Sequence, residues 1–473
     1  MDIRDKKVLL VGLGILGGGV ATAKWLVDQG AILTITDMKD EIFLKPSIEK
    51  LSDFKNKLKF VLGEHHEKDF LENDIIIINP DVPIIDNKFL KLAKDNGKQI
   101  ENELTLFYKN CQSKNIIAVT GTRGKTTTTN WIDFLLKKTN SDSLIAGNSP
   151  TEPLLEVIKN VKKDASIVIE EPSFLLEIFN ESRLYPHIAI ITNIYRDHIN
   201  RHRSEENYAL AKANIFTNQT QNDFLILNNE NSWTEFLIKQ KPKSKIFFFS
   251  KNNLLDSKRG VFTRDGKIIL KVDKEQEIIP VENFVSKYGE HNLENFLAAI
   301  LAVYLMFGKL PSDLFEEINN LPQIKFRQEK VFGNESLEIY NDSAATSPEA
   351  GIAAVERFSK EENFVLISGG TDRDLDFKKW AEVIKHNIKQ NHLILLSGSA
   401  TEKMKKGLEN FEFDEFDSLK ECFDRALMLA KNFGNKKTVI VFSPSAKSFE
   451  KFKNEFDRGE KFNILVKEGL CRS

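Results

Sequence analysis

The sequence predicts an α/β protein built on parallel sheets, and two patterns along the chain support that class. Short apolar runs rich in β-branched residues alternate with amphipathic stretches of helical length, which is typical of parallel strands buried on both faces. Several runs stop at Gly, Ser, Thr, Asn or Asp before the next helix, and ligands of open α/β sheets bind at such strand ends. The predicted strands cover residues 8–11, 32–35, 75–78, 116–119, 167–169, 188–191, 225–227, 364–367, 393–396 and 439–442.

Length, charge and cysteine content narrow the class of protein. At about 150 residues per domain, the 473 residues predict roughly three domains. Sixty-seven Lys and Arg against 69 Asp and Glu leave a net charge of −2, which argues against nucleic acid as a partner held by bulk charge. Three scattered cysteines, Cys111, Cys422 and Cys471, are too few for a disulfide framework. We therefore expect a reduced, cytoplasmic protein.

An uncharged run near the N-terminus, residues 8–23, superficially resembles a signal peptide. Five of its sixteen residues are glycine, however, and glycine suits a tight turn better than a membrane helix. The other apolar stretches are well short of the ~18 residues that a membrane span requires. We expect no membrane partner.

The first phosphate-binding signal is a glycine-rich segment, residues 12–17 (GLGILG), between a predicted strand and a predicted helix. Asp37 ends the following strand, 20 residues after Gly17, as in dinucleotide-binding folds, where an acidic residue contacts a ribose hydroxyl. Glycine turns allow backbone N–H groups and a helix N-terminus to meet a phosphate. The segment predicts a nucleotide-diphosphate site, and a tight turn without a ligand is the alternative.

The second signal, residues 119–128 (VTGTRGKTTT), follows a predicted strand and precedes a predicted helix. Gly124 would provide backbone donors, Lys125 a cation for the β- and γ-phosphates and Thr126 a hydroxyl for Mg²⁺. The general P-loop pattern has glycine five positions before Gly124, where this chain has Val119. A chance Gly-Lys-Thr is the alternative, and the flanking strand and helix argue against it.

The two signals together favour one class of enzyme. A dehydrogenase would use the first site but not the second, and a simple NTPase would use the second but not the first. A ligase that couples ATP to a nucleotide-carried substrate needs both. A nicotinamide dehydrogenase that uses residues 12–17 and a non-catalytic nucleotide-binding protein are the alternatives from other classes.

Motifs along nearly the whole chain resemble those of the Mur ligases, which build the peptide of the bacterial cell wall. Residues 120–127 (TGTRGKTT) are similar to the ATP loop of that family, and residues 12–17 resemble the UDP-sugar loop of its D-glutamate-adding members. The other resemblances are the segments 79–83 (NPDVP), 146–148 (AGN), 170–177 (EEPSFLLE), 193–198 (NIYRDH), 208–212 (YALAK), 291–295 (HNLEN), 326–327 (FR), 341–346 (NDSAAT), 443–449 (SPSAKSF) and 458–459 (RG).

The resemblance implies three domains. These are a Rossmann-like UDP-sugar-binding domain at residues 1–103, a central P-loop ATPase-like domain with a parallel sheet at 104–322, and a Rossmann-like amino-acid-binding domain at 323–473. The implied activity is an ATP-dependent amide ligase that adds D-glutamate to UDP-MurNAc-L-alanine through an acyl phosphate, as a cytoplasmic monomer. Addition of a different amino acid and a folylpolyglutamate-synthase-like activity are alternatives, and the glycine-rich N-terminal domain argues against the folate activity.

The resemblance also implies roles for individual residues. Catalysis would depend on Lys125, Glu170, His198 and Lys212, and two Mg²⁺ ions would be held by Thr126, Glu170, His198 and a Lys212 carbamate formed with CO₂. ATP would be bound by Gly121, Thr122, Arg123, Gly124, Lys125, Thr126, Thr127, Asn292, Asn295, Arg327 and Asp342. The UDP-sugar would be bound by Gly14, Ile15, Leu16, Gly17, Asp37, Asn79, Pro80 and Asn148, and D-glutamate by Thr346, Arg373, Ser448 and Phe449.

Some of these residues have simpler interpretations. Glu170 and Glu171 both follow a predicted strand, so only the family register selects Glu170 as a metal ligand. Asn292 opens a predicted helix, where asparagine is a common cap. Most helical lysines are solvated, whereas a carbamate at Lys212 requires a lysine that is often neutral.

The chain departs from the family pattern at several positions. Asp81 replaces a usual glycine, and Glu171-Pro172 replaces Leu-Ser. Ala344 and Arg373 stand where many members have lysine, and Arg373 keeps the charge as a planar fork. These positions leave other amino acids open as substrates.

Overall fold

The computed structural model describes residues 1–15, 17–139, 141–147, 153–434 and 436–470. The described residues form three sheets in which parallel pairing dominates. Every predicted strand is present, with bounds that agree to within two residues at each end. The apolar runs are buried because helices cover both faces of each sheet. The α/β class is therefore confirmed.

The first sheet has the order β3-β2-β1-β4-β5, and all its pairs are parallel. The adjacent strands β1 and β4 are far apart in sequence, because the order in which strands are added to the sheet reverses between them. Ligands bind at such switch points. The loops that follow these two strands lie side by side at the carboxyl edge. The elements are β1 (Lys7–Val11), α1 (Gly18–Asp28), β2 (Ile32–Asp37), α2 (Glu41–Glu49), β3 (Leu58–Leu62), α3 (Glu67–Glu72), β4 (Ile75–Ile78), α4 (Lys88–Asp95), β5 (Gln99–Glu101) and α5 (Glu103–Asn110).

The second sheet has the order β14-β13-β12-β11-β10-β9-β6-β8-β7. Strands β6 to β12 pair in parallel. Strand β13 then pairs antiparallel with β12, and β14 pairs antiparallel with β13. The elements are β6 (Ile116–Thr120), α6 (Lys125–Lys138), β7 (Ser143–Gly147), α7 (Leu154–Val157), β8 (Ser166–Glu170), α8 (Ser173–Leu176), β9 (Ile188–Ile191), α9 (Ile199–His202), α10 (Glu205–Thr217), β10 (Phe224–Asn228), α11 (Thr234–Lys239), β11 (Lys245–Ser250), β12 (Gly260–Arg264), β13 (Lys267–Lys271), β14 (Glu275–Pro280), α12 (Glu282–Tyr288), α13 (Leu293–Phe307) and α14 (Leu314–Ile318).

The third sheet has the order β15-β16-β20-β17-β18-β19, with β15 antiparallel to β16 and the other pairs parallel. The loops after β16, β17 and β20 therefore meet at one carboxyl edge. The elements are β15 (Glu329–Gly333), β16 (Leu337–Asn341), α15 (Pro348–Phe358), β17 (Asn363–Ser368), α16 (Lys378–Asn387), β18 (Leu393–Leu396), α17 (Ser399–Gly407), β19 (Asp414–Phe416), α18 (Leu419–Asn432), β20 (Thr438–Phe442) and α19 (Glu455–Leu470).

The chain divides into two compact units. The first contains Met1–Tyr288 and Asn292–Leu321, and the second contains Gly289–His291 and the chain from Pro322 onward. One apolar cluster of the first unit includes Val8, Leu104 and Ile167, so it continues from the first sheet into the second. Packing is thus continuous across the domain boundary predicted at residues 103 and 104, and that boundary stays a prediction.

Two further observations concern membrane-spanning helices and cysteines. Across the described ranges, no helix is both long enough and apolar enough to span a membrane. Cys111 and Cys422 are buried free thiols, and burial raises the pKa of each, which disfavours the reactive thiolate.

Candidate active site

The centre of the second sheet brings three loops together. Strand β6 lies between β8 and β9, and Val119 pairs with Glu170 on one side and with Ile190 on the other. The loop after β6, the carboxylate that ends β8 and the segment after β9 therefore emerge at the same edge. This is the carboxyl edge, where ligands of parallel sheets bind.

Two glycines in the loop after β6 are required by close neighbours. Gly121 has φ +146 and Gly124 has φ +81, a region that favours glycine. A Cβ at Gly121 would overlap the Thr192 hydroxyl, and a Cβ at Gly124 would overlap the Asn295 side-chain oxygen. The general P-loop pattern has glycine at position 119, where this chain has Val119. Val119 is the fourth residue of a fully buried strand and so does not belong to the turn.

Asn193 holds the loop in place from the neighbouring strand end. Its side-chain oxygen accepts a hydrogen bond from Arg123 N at 2.8 Å, and its carbonyl accepts one from Thr122 N at 2.9 Å. The Thr192 hydroxyl donates to the Arg123 carbonyl at 2.6 Å. The sequence motif 193–198 contains Asn193 but does not reveal this role, and the position of Asn193 just after a buried apolar run is the signal that points to it.

Two lysines converge on one carbonyl of the loop. Lys125, at the start of α6, donates through Nζ to Gly121 O at 3.0 Å, and Lys212, on α10, donates to the same oxygen at 2.8 Å. Lys212 is only 1% exposed. Burial, followed by the nearby charge of Lys125, holds the pKa of Lys212 well below its ordinary value, while Asp197 and Glu170 act in the opposite direction. The solvated-lysine interpretation of Lys212 is therefore wrong.

The structure also separates the two adjacent glutamates. The Thr126 hydroxyl donates to Glu170 Oε2 at 2.8 Å, so the two side chains chosen for Mg²⁺ lie together. Glu171 instead is fully buried and accepts a hydrogen bond from the Tyr108 hydroxyl at 2.7 Å, and burial raises the pKa of Glu171 to about 8. The sequence alone did not distinguish the two positions. The structure does, because successive side chains at a strand end face opposite sides.

A threonine hydroxyl and one carboxylate fit Mg²⁺. This ion keeps several waters and commonly takes one or two carboxylates together with substrate phosphates. Within the described residues, no three His, Cys, Asp or Glu side chains converge into a metal-binding group. Phosphate oxygens would therefore have to complete the coordination that Thr126 and Glu170 begin.

His198 lies at the rim of this edge. It has a left-handed backbone (φ +53) just before α9, and its side chain is 47% exposed. Its ring centroid lies 6.1 Å from that of Tyr208, whose hydroxyl is 3.2 Å from Thr122 Oγ1 and whose ring lies 4.5 Å from Lys212 Nζ. Tyr208 is thus packed between the predicted metal ligands His198 and Lys212.

The two asparagines at the start of α13 form part of the loop's surroundings. Asn292 occupies the N-cap position but makes no side-chain capping bond, so the capping interpretation is wrong. Its Nδ2 donates to Tyr288 O at 3.0 Å, and its Oδ1 accepts from Asn295 Nδ2 at 3.1 Å. Asn295 Oδ1 accepts from Thr128 Oγ1 at 3.4 Å. The pair therefore connects α13 to the first turn of α6, where Thr127 is also buried.

The glycine-rich loop of the first sheet is tied down by Asp37. One of its carboxylate oxygens accepts from Leu13 N at 2.8 Å and from Gly14 N at 3.1 Å, and the other accepts from Lys39 N at 2.9 Å. Asp37 therefore stabilises the loop itself, which the ribose interpretation had not anticipated, and the ribose contact stays a prediction. Helix α1 begins directly after Gly17 and has no acidic residue in its first turn, which leaves its N-terminus suited to an anion.

The other predicted UDP-sugar residues border the same switch point. Asn79 Nδ2 donates to Gly12 O at 2.9 Å, so the loop after β4 supports the glycine loop after β1. Pro80 is half-buried and Ile15 is 48% exposed. The remaining two predicted ligands, Leu16 and Asn148, lie outside the described residues.

The second unit holds the remaining predicted ATP ligands. Asp342 follows β16 and is buried; its oxygens accept from Gln328 N at 3.1 Å and from Ser443 Oγ at 2.7 Å. Burial raises the pKa of Asp342 to about 7, and nearby Arg327 opposes that rise. Arg327 itself is exposed. Asp342 is therefore integrated into its own unit, and its predicted ribose contact stays a prediction.

The four residues predicted for D-glutamate gather at the carboxyl edge of the third sheet. The Arg373 guanidinium lies 4.9 Å from the Phe449 ring. Ser448 is buried, and its hydroxyl has no hydrogen-bond partner within the described chain. Thr346 Oγ1 accepts a hydrogen bond from Lys447 Nζ at 3.4 Å. Lys447, which is not among the residues predicted from the sequence, adds a second cation to this group.

Comparisons with known proteins agree with this architecture. Residues 119–303 match the family model described as the Mur ligase middle domain, and residues 6–101 match the Mur ligase MurD-like, N-terminal domain. A UDP-N-acetylmuramoylalanine–D-glutamate ligase from Roseiflexus sp. (strain RS-1) is 34% identical over 476 residues, covering 98% of this chain and 99% of that protein. The Clostridioides difficile (strain 630) protein of the same name is 31% identical, with the same coverage.

A solved structure supports the fold independently of close sequence similarity. The MurF ligase from Thermotoga maritima in complex with ADP superimposes with a TM-score of 0.57 at 14% identity, and the match covers 99% of this chain and 96% of that chain. At this level of identity the similarity concerns the fold alone.

Proposed function

This chain belongs to the Mur ligase family, with a MurD-like N-terminal domain, and we propose that it joins D-glutamate to UDP-MurNAc-L-alanine at the expense of ATP. Its relatives of that name match it over nearly their full length. The observation that carries the proposal is the group at the carboxyl edge of the second sheet. There, Lys125 and Lys212 contact one carbonyl, and Thr126 contacts Glu170.

The chemistry of amide formation explains why such a group is needed. A carboxylate is a poor acceptor for an amine, so it must first be activated. The family's route transfers the γ-phosphoryl group of ATP to the alanine carboxylate: a carboxylate oxygen bonds to phosphorus as the bond to the bridging oxygen breaks, and ADP leaves. Two anions meet in this step, and their repulsion must be offset by positive charge. Lys125 would supply part of that charge to the phosphates.

Magnesium would be held by Thr126 and Glu170, and when bound it would supply positive charge between the nucleotide and the acceptor. The Gly121–Gly124 turn would present backbone N–H groups to the phosphates, because its two glycines adopt positive-φ conformations that side chains rarely allow. Asn292 and Asn295 border the same turn and would contact the adenine side of the nucleotide.

Lys212 has the features that a carbamate requires. A carbamate forms when a neutral amine bonds to the carbon of CO₂ and releases one proton. The lowered pKa of Lys212 favours the neutral amine, and carbamylation would replace this buried amine by an anion beside Lys125. That anion, with His198, would form the second metal site of the proposal.

The second half of the reaction uses the third sheet. The amine of D-glutamate attacks the acyl phosphate carbon, the carbon–oxygen bond to phosphate breaks, and the amine loses a proton. Arg373 and Lys447 provide cations for the carboxylates of the amino acid, and Thr346 and Ser448 provide hydroxyl groups. The buried Ser448 hydroxyl, which lacks a protein partner in the described chain, supports this assignment.

A panel of amino acids tests the proposal. The protein would be incubated with ATP, Mg²⁺ and UDP-MurNAc-L-alanine, and D- and L-amino acids would be supplied one at a time. We expect phosphate release and a product heavier by one glutamyl residue with D-glutamate only. Turnover with another amino acid would reject the specificity, and absence of turnover with all of them would reject the ligase.

Two further properties belong to this proposal. We expect a cytoplasmic protein, where ATP and the UDP-linked precursor are available, and a monomer, because each predicted substrate site is supplied by residues of one chain. Light scattering of the purified protein would test the monomer directly, and a mass of twice 54.1 kDa would contradict it.

A further inference from the structure

One side chain connects three segments that carry predicted ligands. Arg201 lies on α9, three residues after His198. Its Nη1 donates to Pro80 O at 2.5 Å and its Nη2 donates to Val82 O at 3.2 Å, both in the loop after β4. Its Nε and Nη2 donate to the two carboxylate oxygens of Glu177 at 2.8 and 2.7 Å. Glu177 follows α8, seven residues after Glu170.

The arrangement is specific to arginine. A guanidinium has five N–H donors in a fixed plane. In Arg201, Nε and Nη2 bind a carboxylate, while Nη1 and Nη2 bind two backbone carbonyls. A lysine ammonium is a single point charge and cannot span all four acceptors. The Arg201 and Glu177 side chains are 17% and 10% exposed, so solvent screens the pair far less than it screens a surface ion pair.

The contacts of Glu177 continue towards Lys212. Glu177 Oε1 lies 3.5 Å from His202 Nδ1, and His202 Nε2 lies 3.0 Å from Ser173 Oγ. The His202 ring centroid is 5.2 Å from that of Tyr208, the same tyrosine that lies against Lys212. The network formed by Arg201, Glu177 and His202 thus extends from the loop at residues 79–82 to the wall of the phosphoryl-transfer site.

We propose that Arg201 is a positioning residue that fixes the acceptor-binding loop, residues 79–82, against the metal-binding segments that begin at Glu170 and His198. This inference rests on the proposed function. If the diphosphate-linked acceptor binds at the loop and the phosphate donor binds at Glu170, then the distance between the two reacting groups is set through Arg201. Small errors in such a distance cost large factors in rate.

Substitution of Arg201 by lysine tests the proposal. We expect Arg201→Lys to weaken binding of UDP-MurNAc-L-alanine by about tenfold, measured by calorimetry without nucleotide or metal, because the loop loses two carbonyl contacts. We expect kcat to fall by roughly ten- to a hundredfold, with the KM for D-glutamate unchanged within about twofold, since that substrate uses the second unit. Active-site titration would correct kcat for any unfolded fraction.

Glu177→Gln is the second variant, and it guards against failure of Arg201→Lys to fold. It removes the charge that orients the guanidinium but leaves both backbone carbonyls in place, so a smaller change in the same direction is expected. In the double variant, the loss of acceptor affinity and of kcat should not exceed the sum of the losses in the two single variants, because both substitutions disrupt one network.

Arg203→Ala is the matched control. Arg203 lies two residues further on and also pairs with an N-terminal residue, Asp86, but both side chains are more than half exposed. We expect its acceptor affinity and kcat to stay within about twofold of wild type, as for most surface ion pairs.

The outcomes separate this inference from the proposed function. A wild-type protein with no acceptor binding and no turnover would overturn both. An active wild type with acceptor affinity and kcat unchanged in Arg201→Lys would overturn the positioning role alone. A loss of folded protein, with unchanged affinity and kcat per active site, would reduce Arg201 to a structural residue and overturn it equally.

Discussion

Replacement of the buried Glu171 should stabilise the protein more at high pH than at low pH. Glu171 is fully buried, its Oε1 accepts the Tyr108 hydroxyl, and its Oε2 has no partner within the described residues. Burial raises the pKa of Glu171 to about 8 from 4.5. Between pH 4.5 and about pH 8, the folded state therefore holds a proton on Glu171 that the unfolded state has released. The free energy of unfolding consequently falls as the pH rises through this range.

The magnitude follows from linkage. Stability changes by about 1.36 kcal/mol per pH unit while one state holds one more proton than the other. For the two pKa values of Glu171, this gives a loss of about 2 kcal/mol between pH 6 and pH 8. Glu171→Gln keeps the shape and an oxygen for Tyr108 but does not ionise. The stability of the variant relative to wild type should therefore rise by about 2 kcal/mol over that interval.

Urea unfolding of both proteins at pH 6 and pH 8, without magnesium, measures this difference, because the other titrating groups cancel between them. Glu181→Gln, at an exposed ion pair with Lys94, is the control, and its difference from wild type should be the same at both pH values. An equal difference for Glu171→Gln at pH 6 and pH 8 would show that Glu171 is ionised in the folded protein and would refute the reasoning.

Three further predictions concern the sites. Lys212→Met should lower kcat by about 10²-fold or more, and wild-type activity should increase with bicarbonate in CO₂-depleted buffer; bicarbonate independence would contradict a carbamate. Gly124→Ala should raise the KM for ATP at least about tenfold, because the added Cβ overlaps Asn295; an unchanged KM would show that the turn tolerates a side chain. Lys447→Met should raise the KM for D-glutamate about tenfold without changing the KM for ATP, whereas Lys451→Met, at an exposed lysine bound to Asp417 O, should change neither; equal effects of the two would contradict a binding role for Lys447.

The fold could be predicted from the sequence because its strands are continuous apolar runs. Residues 188–191 and 393–396 were predicted with the bounds that the structure has, since a strand buried on both faces leaves little ambiguity in its pattern. The phosphate loop could be found for a similar reason, because Gly121 and Gly124 adopt conformations that only glycine adopts readily. Local sequence carries both signals.

The contacts between distant segments could not be predicted in the same way. Nothing near Arg201 in sequence indicates that its guanidinium binds Pro80 O, 121 residues away, or that Asp37 is used by the loop at Leu13. The separation of Glu170 from Glu171 depends on which face of β8 meets Tyr108, and that is decided by packing. The lowered pKa of Lys212 likewise depends on burial, which the charge and spacing of the residue do not reveal.

The transfer of an oxygen atom tests the central claim most directly. UDP-MurNAc-L-alanine labelled with ¹⁸O in its alanine carboxylate would be converted with ATP and D-glutamate, and the released phosphate would be analysed by mass spectrometry. If the carboxylate attacks the γ-phosphate at the edge where Lys125 and Glu170 lie, each phosphate carries one ¹⁸O atom. Unlabelled phosphate, formed together with the ligated product, would contradict an acyl phosphate and the site built around it.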